Sequence, residues 1–197
     1  MPHIPEQKLN ELYNTKKISV PEISNLLGCS ENKVNYWLKK YHIKKRSISE
    51  AIYIKRNPKG DPFLFKKPSN MDEAFLFGMG LGLYWGEGTK SNKVSVRLGN
   101  TNPELIKKFL EFLFRIYGIK KEKLRFGLQI FSDMKAREAQ NYWVKKLNVP
   151  ASLFQKVIIT PARGLGNYRN KTKFGVLTIY YHNKKLRDLI CSELEKL

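Results

Sequence analysis

Glu87 closes the segment Gly78-Met-Gly-Leu-Gly-Leu-Tyr-Trp-Gly-Glu-Gly88 as a lone acid between two glycines at the end of an apolar run. A carboxylate in such a place can hold a hard cation or accept a proton. The run around it reads as helix, although each interior glycine costs a helix about 1 kcal/mol relative to alanine. That cost implies a purpose. Gly78, Gly82 and Gly86 fall four residues apart, so they share one helical face on which another backbone can come very close.

A second set of groups suits a polyanion. The chain of 197 residues carries 37 lysines and arginines against 17 acids, a formal net charge of +20, and a pI near 9.9. Such an excess points to nucleic acid ahead of an anionic membrane surface. In Lys93-Val-Ser-Val-Arg-Leu98, Val94, Val96 and Leu98 alternate with Lys93, Ser95 and Arg97, which reads as a half-buried strand with a basic outer face. Lys123, Arg125 and Gln129 repeat that chemistry opposite Leu124, Phe126, Leu128 and Ile130. Near the N-terminus, Asn32, Lys33, Asn35, Tyr36 and Lys39 stand on the outward side of a short helix; Asn32, Lys33 and Asn35 are of the kind that reach base edges, and Lys39 suits phosphates. Lys40, Lys44, Lys45 and Arg46 follow, suited to phosphates.

The elements that position these groups divide the chain in three. Over residues 1–46, Leu9, Leu12 and Tyr13 mark one helix and Ser19-Val-Pro-Glu22 caps a second. Gly28 makes a tight turn, and Ser30 caps a third helix with Val34, Trp37, Leu38 and Tyr41 on one face. Three helices with that turn form a helix-turn-helix unit, whose last helix enters the major groove. A three-helix module that binds protein is the plainer reading. Residues 47–70 read as a basic linker with prolines at 58, 62 and 68. From 71 to 197, helices at Met71–Trp85, 103–117, Lys135–Leu147 and Asn183–Glu195 alternate irregularly with strands, the last two at Phe154–Thr160 and Phe174–Tyr181. The fold class is therefore α+β, helices layered on one sheet. A loop with Arg163, Arg169, Lys171 and Lys173 adds further cations.

The apolar run at Phe75–Trp85 is too short to cross a bilayer, and no membrane partner is expected. Cys29 and Cys191 form no disulfide framework and no secretory signal is evident, which suggests a reducing cytoplasm. His3, His42 and His182 are scattered. No strand precedes the glycines and Lys90 does not follow phosphate-loop spacing, so no nucleotide or other small-molecule cofactor is expected.

The glycine segment, the alternating strands and the helices together resemble the LAGLIDADG homing endonuclease family. Gly80-Leu-Gly-Leu-Tyr-Trp-Gly-Glu-Gly88 aligns with its motif without gaps, Gly82 at the inner glycine, Gly86 at the small residue, Glu87 at the acid and Gly88 at the final glycine. In that family the motif helices pack against each other and deliver their acids to the scissile phosphates. A single motif implies a homodimer, with Gly78, Gly82, Trp85 and Gly86 at the interface and paired Glu87 carboxylates near its axis. The resemblance further implies Mg²⁺ held by Glu87, with the Gly86 carbonyl as another ligand, and double-stranded DNA as substrate. Three departures stand out: Trp85 occupies a position where Asp is common, Gly80 stands at the first position in place of a bulky apolar residue, and one clear strand follows the motif helix where two are usual. Lys93, Lys120 and Gln129 are candidates for the supporting basic and amide groups.

The sequence thus implies a homodimeric, divalent-metal-dependent DNA endonuclease with an added helix-turn-helix domain. A non-cleaving DNA-binding regulator on the same fold is the main rival, and an RNA maturase or splicing factor the third.

Overall fold

A computed structural model describes residues 3–162 and 173–196. Two compact units emerge, Met1–Pro62 and Phe63–Leu197. Among the described residues they hold eight α-helices and one mixed four-stranded sheet, an α+β composition. No helix there is long and apolar enough to cross a membrane.

In the first unit, α1 (Glu6–Asn10) runs into a π-helical turn (Glu11–Thr15), followed by α2 (Val20–Leu26) and α3 (Glu31–Lys40). The Ser19 hydroxyl accepts from the Glu22 amide, and the Glu22 carboxylate accepts from the Ser19 amide at 2.9 Å, which closes a capping box on α2. Gly28 then takes φ 59°, a left-handed turn that glycine adopts without strain. Ser30 caps α3. Leu9, Leu12, Tyr13, Ile23, Val34, Trp37 and Leu38 form a closed apolar core, so the helix-turn-helix spacing produces a packed three-helix module.

The expected linker is not a plain tether. Its first part folds as α4 (Ile48–Arg56), capped by Ser47 and Glu50 through the same reciprocal box, though α4 buries none of its residues. Its second part belongs to the other unit. Leu64 and Lys66 donate their amides to the Tyr117 and Ile116 carbonyls at 2.9 and 2.7 Å, and Phe65 stacks on Tyr117.

The second unit opens with α5 (Met71–Glu87), capped by Asn70. After it come β1 (Val96–Asn100), α6 (Pro103–Tyr117), β2 (Leu124–Phe131), α7 (Ala136–Leu147), β3 (Ile158–Thr160), β4 (Val176–Tyr181) and α8 (Lys184–Leu194). α6 begins with Asn102 and Pro103 and ends at Gly118, φ 58°, as a helix with a left-handed glycine stop should. The sheet runs β1-β4-β2-β3, antiparallel except for the β2–β3 pair. Val96, Leu98, Leu124, Phe126, Leu128, Ile130, Leu177 and Ile179 turn one face of it into the helical layer and are buried there. Among their alternate residues on the opposite face, Arg125 and Gln129 are exposed and Arg97, Thr178 and Tyr180 half-buried.

Three strands are shorter than the sequence suggests, and the last of them begins at Val176 instead of Phe174, after Gly175 turns at φ 71°. Residues 151–153 form a 3-10 turn, so the Phe154–Thr160 strand narrows to β3 with one isolated bridge at Phe154. Before β1, Asn92 captures the amides of Val94 and Ser95 at 3.1 and 3.0 Å. That turn delays the strand to Val96 and reverses the local alternation, leaving Val94 exposed and Ser95 fully buried. Where the resembled family has a further strand, this chain has one isolated bridge, Gly88 to Leu98.

Candidate nucleic-acid interface and acid-bearing helix

The glycines of α5 separate into two groups by what surrounds them. A Cβ on Gly80 would lie 2.1 Å from the Phe112 ring of α6, and one on Gly88 would lie 2.3 Å from the Tyr84 carbonyl. Both positions therefore require glycine for reasons internal to the chain. Gly78, Gly82 and Gly86 meet nothing within 4 Å. Their face is uncovered, and it carries Met71, Phe75 and Trp85 at 83%, 67% and 65% exposure. On the other side Leu76, Gly80, Leu81 and Tyr84 are buried, so α5 is apolar all round yet covered on one side only.

Glu87 ends this helix, exposed. Its carboxylate stands at the negative end of the helix dipole, where an anion is disfavoured by about 0.3–1 kcal/mol and a bound cation would reverse the sign. Around it, the Tyr84 carbonyl accepts the Gly88 amide at 2.9 Å and the Trp85 carbonyl accepts the Lys90 ammonium. The Gly86 carbonyl lies in the last turn, where helical carbonyls lack an amide four residues on. Oxygen donors at an open helix end suit a hard cation, which is commonly held by one or two carboxylates completed by water and phosphate. One chain supplies one such acid, so by itself this helix end offers a hard cation one carboxylate and a carbonyl, with the Lys90 ammonium close by on the Trp85 carbonyl. Among the described residues no three His, Cys, Asp or Glu side chains gather into a metal cluster.

At the other end of α5, Glu73 shows what a fully partnered carboxylate looks like here. Lys66 lies 2.5 Å from it, and the Ser69 amide and hydroxyl donate to its other oxygen at 2.9 and 2.8 Å. These partners, Lys66 foremost, pull its pKa down to about 2.

The open sheet face collects part of the expected binding set. Arg97 on β1, Tyr180 on β4 and Arg125 on β2 are cross-strand neighbours in one row. The Arg97 guanidinium lies 5.3 Å from the Tyr180 ring centre, and the next row is Gly99, Thr178 and Gly127. Gly127 lets the Tyr180 ring lie down, since a Cβ there would be 2.8 Å from it. Gln129 follows, paired with Val176 and Ile158. No acid occupies these positions. On α6 the acids are matched within the helix, Glu104 by Lys107 and Glu111 by Lys108 and Arg115. His182 stacks near Tyr180 with an interplanar angle of 13°. Partial desolvation, then the Arg97 and Arg125 charges, hold its imidazole below its usual pKa.

Lys93 and Lys123 are exposed just before β1 and β2, and Lys120 lies further from the strand. Ser95 does not belong to the outer face. Its buried hydroxyl donates to Asn92 Oδ1 at 3.0 Å and accepts from Arg97 Nε at 2.9 Å, which aims the arginine instead of meeting a ligand. Tyr180, Thr178 and His182 complete the face without having been singled out; the alternation in Val176-Leu-Thr-Ile-Tyr-Tyr181 was the available signal.

On the first unit, Asn32, Tyr36, Lys39, Lys40, Lys44 and Lys45 are exposed, and Lys33 and Asn35 half-buried. Asn35, Tyr36, Lys39, Ile43 and Lys45 line an open groove of about 490 Å³. Lys40 sits 4.7 Å over the Trp37 ring. Arg46 is the exception among the expected phosphate ligands. Its guanidinium donates to the Tyr13, Lys17 and Ile18 carbonyls at 3.0, 2.9 and 2.5 Å and lies 4.0 Å over the Tyr13 ring, so it locks the end of the π-helical turn. Arg163, Arg169 and Lys171 of the expected basic loop lie outside the described residues.

Comparison with protein-family models, with curated proteins and with solved structures returns no match.

Proposed function

We propose that this protein is a divalent-metal-dependent endonuclease of double-stranded DNA, of the homing type, acting as a homodimer in the cytoplasm. The observation that carries the reading is α5, whose Gly78, Gly82 and Gly86 meet none of the described residues within 4 Å and which presents Glu87 at its end. Each of those glycines costs about 1 kcal/mol of helix stability. A second copy of α5 is the occupant that repays three uncovered glycines, since small residues four apart admit a helix at close range. Pairing along that seam brings two Glu87 carboxylates together at one end of it.

The open face of the sheet receives the duplex. Arg97 and Arg125 contact phosphates, while Gln129 offers both donor and acceptor to a base edge. The helix-turn-helix unit adds a second contact through α3, and tethering the two contacts in one chain raises the effective concentration of each. Mg²⁺ held by Glu87 and the Gly86 carbonyl would supply charge neutralisation at the scissile phosphate. Glu87 acts as its ligand, with solvent left to carry the proton.

A non-cleaving DNA-binding regulator is the second reading, and Trp85 favours it. Its exposed indole stands beside Glu87, where the resembled motif commonly has a small acid. Purified protein incubated with its native-locus DNA and Mg²⁺ decides between them. Double-strand cleavage that Glu87→Gln abolishes, with DNA affinity within about threefold of the parent, is the expected result. Tight binding of that DNA with no cleavage in any divalent metal would establish the regulator.

A further inference from the structure

Arg187 lies in the first turn of α8, nearly a hundred residues from the segment that follows Glu87, yet its guanidinium reaches that segment at two points. Its Nη2 donates to the Lys90 carbonyl at 2.6 Å and its Nε to the Asn92 carbonyl at 3.2 Å. Asp188 holds the remaining side of the fork, accepting from Nη1 at 3.1 Å, and is itself tied to Lys184. The Arg187 side chain is only 16% exposed, and its bonds to Asn92 and Asp188 are part-buried while the one to Lys90 faces solvent. A planar five-donor fork directed at two carbonyls of one loop fixes both position and angle, which a lysine ammonium cannot do.

The two carbonyls belong to residues with onward contacts. Lys90 turns its ammonium back to the Trp85 carbonyl in the last turn of α5, two residues before Glu87. Asn92 turns forward, its Oδ1 accepting from Val94, Ser95 and the Ser95 hydroxyl, and Ser95 in turn accepts from Arg97 Nε. From one half-buried guanidinium, then, one chain of hydrogen bonds runs to the acid-bearing helix end and another to the sheet's cationic row.

We infer that Arg187 is the positioning residue that sets Glu87 and Arg97 in register through the Lys90 and Asn92 carbonyls. This inference rests on the nuclease reading for what the register serves, but the register itself is measurable without cleavage. The phosphate-contacting arginine and the acid lie on different elements, and a nuclease needs both at one phosphate; a misplacement near 1 Å can cost about a hundredfold in rate. Arg187 touches neither DNA nor the reacting atoms in this arrangement.

The test uses the full chain with Arg187→Lys, which keeps the charge and loses the fork, and Asn92→Ala, which cuts only the branch to Ser95 and Arg97. Amide hydrogen exchange is read without DNA or metal, followed by DNA affinity and single-turnover cleavage over a Mg²⁺ titration. Arg187→Lys should speed exchange at Thr89 and across 92–95 at least tenfold, with the amides of α6 unchanged. It should also lower the cleavage rate tenfold or more, raise the half-saturating Mg²⁺ concentration and weaken DNA binding severalfold, since both branches start from the fork. Asn92→Ala should weaken DNA binding severalfold and leave the Mg²⁺ dependence alone. Native exchange at 88–95 in folded Arg187→Lys would overturn the inference, as would a uniform rise across the second unit, which marks a merely structural role. Failure of the parent protein to cleave any DNA overturns the nuclease reading instead, and leaves the exchange result to judge the register.

Discussion

The two sides of α5 are built from the same kinds of residue and do opposite things. Towards α6, Gly80 lies beneath the Phe112 ring and Leu76, Leu81 and Tyr84 fill the space beside it. On the other side, Gly78 and Gly82 lie bare between exposed Phe75 and Trp85. The difference teaches that glycine in this helix has two justifications. One is satisfied by the chain's own packing, and the other is assigned by the proposal above to a second copy. Composition cannot separate them, because both sides are apolar.

Substitution at the covered glycine gives the largest expected effect. Gly80→Val drives two methyl groups into the Phe112 ring, and overpacking of this kind costs about 1–3 kcal/mol or more. Denaturant unfolding of the second unit should register that loss, and an unchanged midpoint would break the comparison at its firmer side.

Next in size is the bare face. Gly78→Ala with Gly82→Ala places methyl groups in open space within one chain, so the monomer should gain up to about 1 kcal/mol per site from helix propensity. The same pair should weaken the homodimer by tenfold or more. Sedimentation equilibrium alongside unfolding reads both signs at once, and a more stable protein whose self-association is untouched would remove the seam.

The smallest effect sharpens the contrast between the helix's two ends. Glu73 is partnered and has a folded pKa of about 2, below its ordinary value of 4.5. A carboxyl whose pKa is depressed by folding contributes stability in full above its unfolded pKa and loses it as pH falls through the folded one. The Glu73 contribution is therefore complete above pH 4.5 and gone near pH 2. Glu73→Gln should be less stable than the parent at pH 7 and closely matched to it at pH 2, as measured by chemical denaturation at each pH; an equal deficit at both would contradict the ion pair.

The sequence was easiest to read where local chemistry decides the outcome. Ser19 with Glu22, Gly28 and Ser30 mark the first unit's helices through bonds that span three residues or a single backbone angle. The same capping pattern stands at Ser47 and Glu50, yet the basic residues and prolines around α4 read as a tether. Longer-range effects were hidden. Nothing near Arg46 announces that its fork closes on carbonyls about thirty residues earlier, and lysine-rich company made it look like a phosphate ligand. The strand before Arg97 failed for a related reason. Period-two alternation predicted Ser95 outward, but Asn92 accepts three hydrogen bonds and holds a turn there, so the period starts one residue later. Tyr180 was equally out of reach, since its place between Arg97 and Arg125 depends on a register between three strands. The sheet's order, with β4 between β1 and β2, is likewise a property of crossovers and not of any one segment.

The short stretch from Phe63 to Lys66 also decides where the chain can be cut. Its main chain closes the last turn of α6, with Leu64 and Lys66 as donors to Tyr117 and Ile116. A shortened protein that begins at Met71, where the first helix of the unit begins, would leave those carbonyls to water and uncover Tyr117. One that begins at Phe63 keeps the lashing whole, and the useful seam for a protease or a cloning primer therefore lies at Pro62.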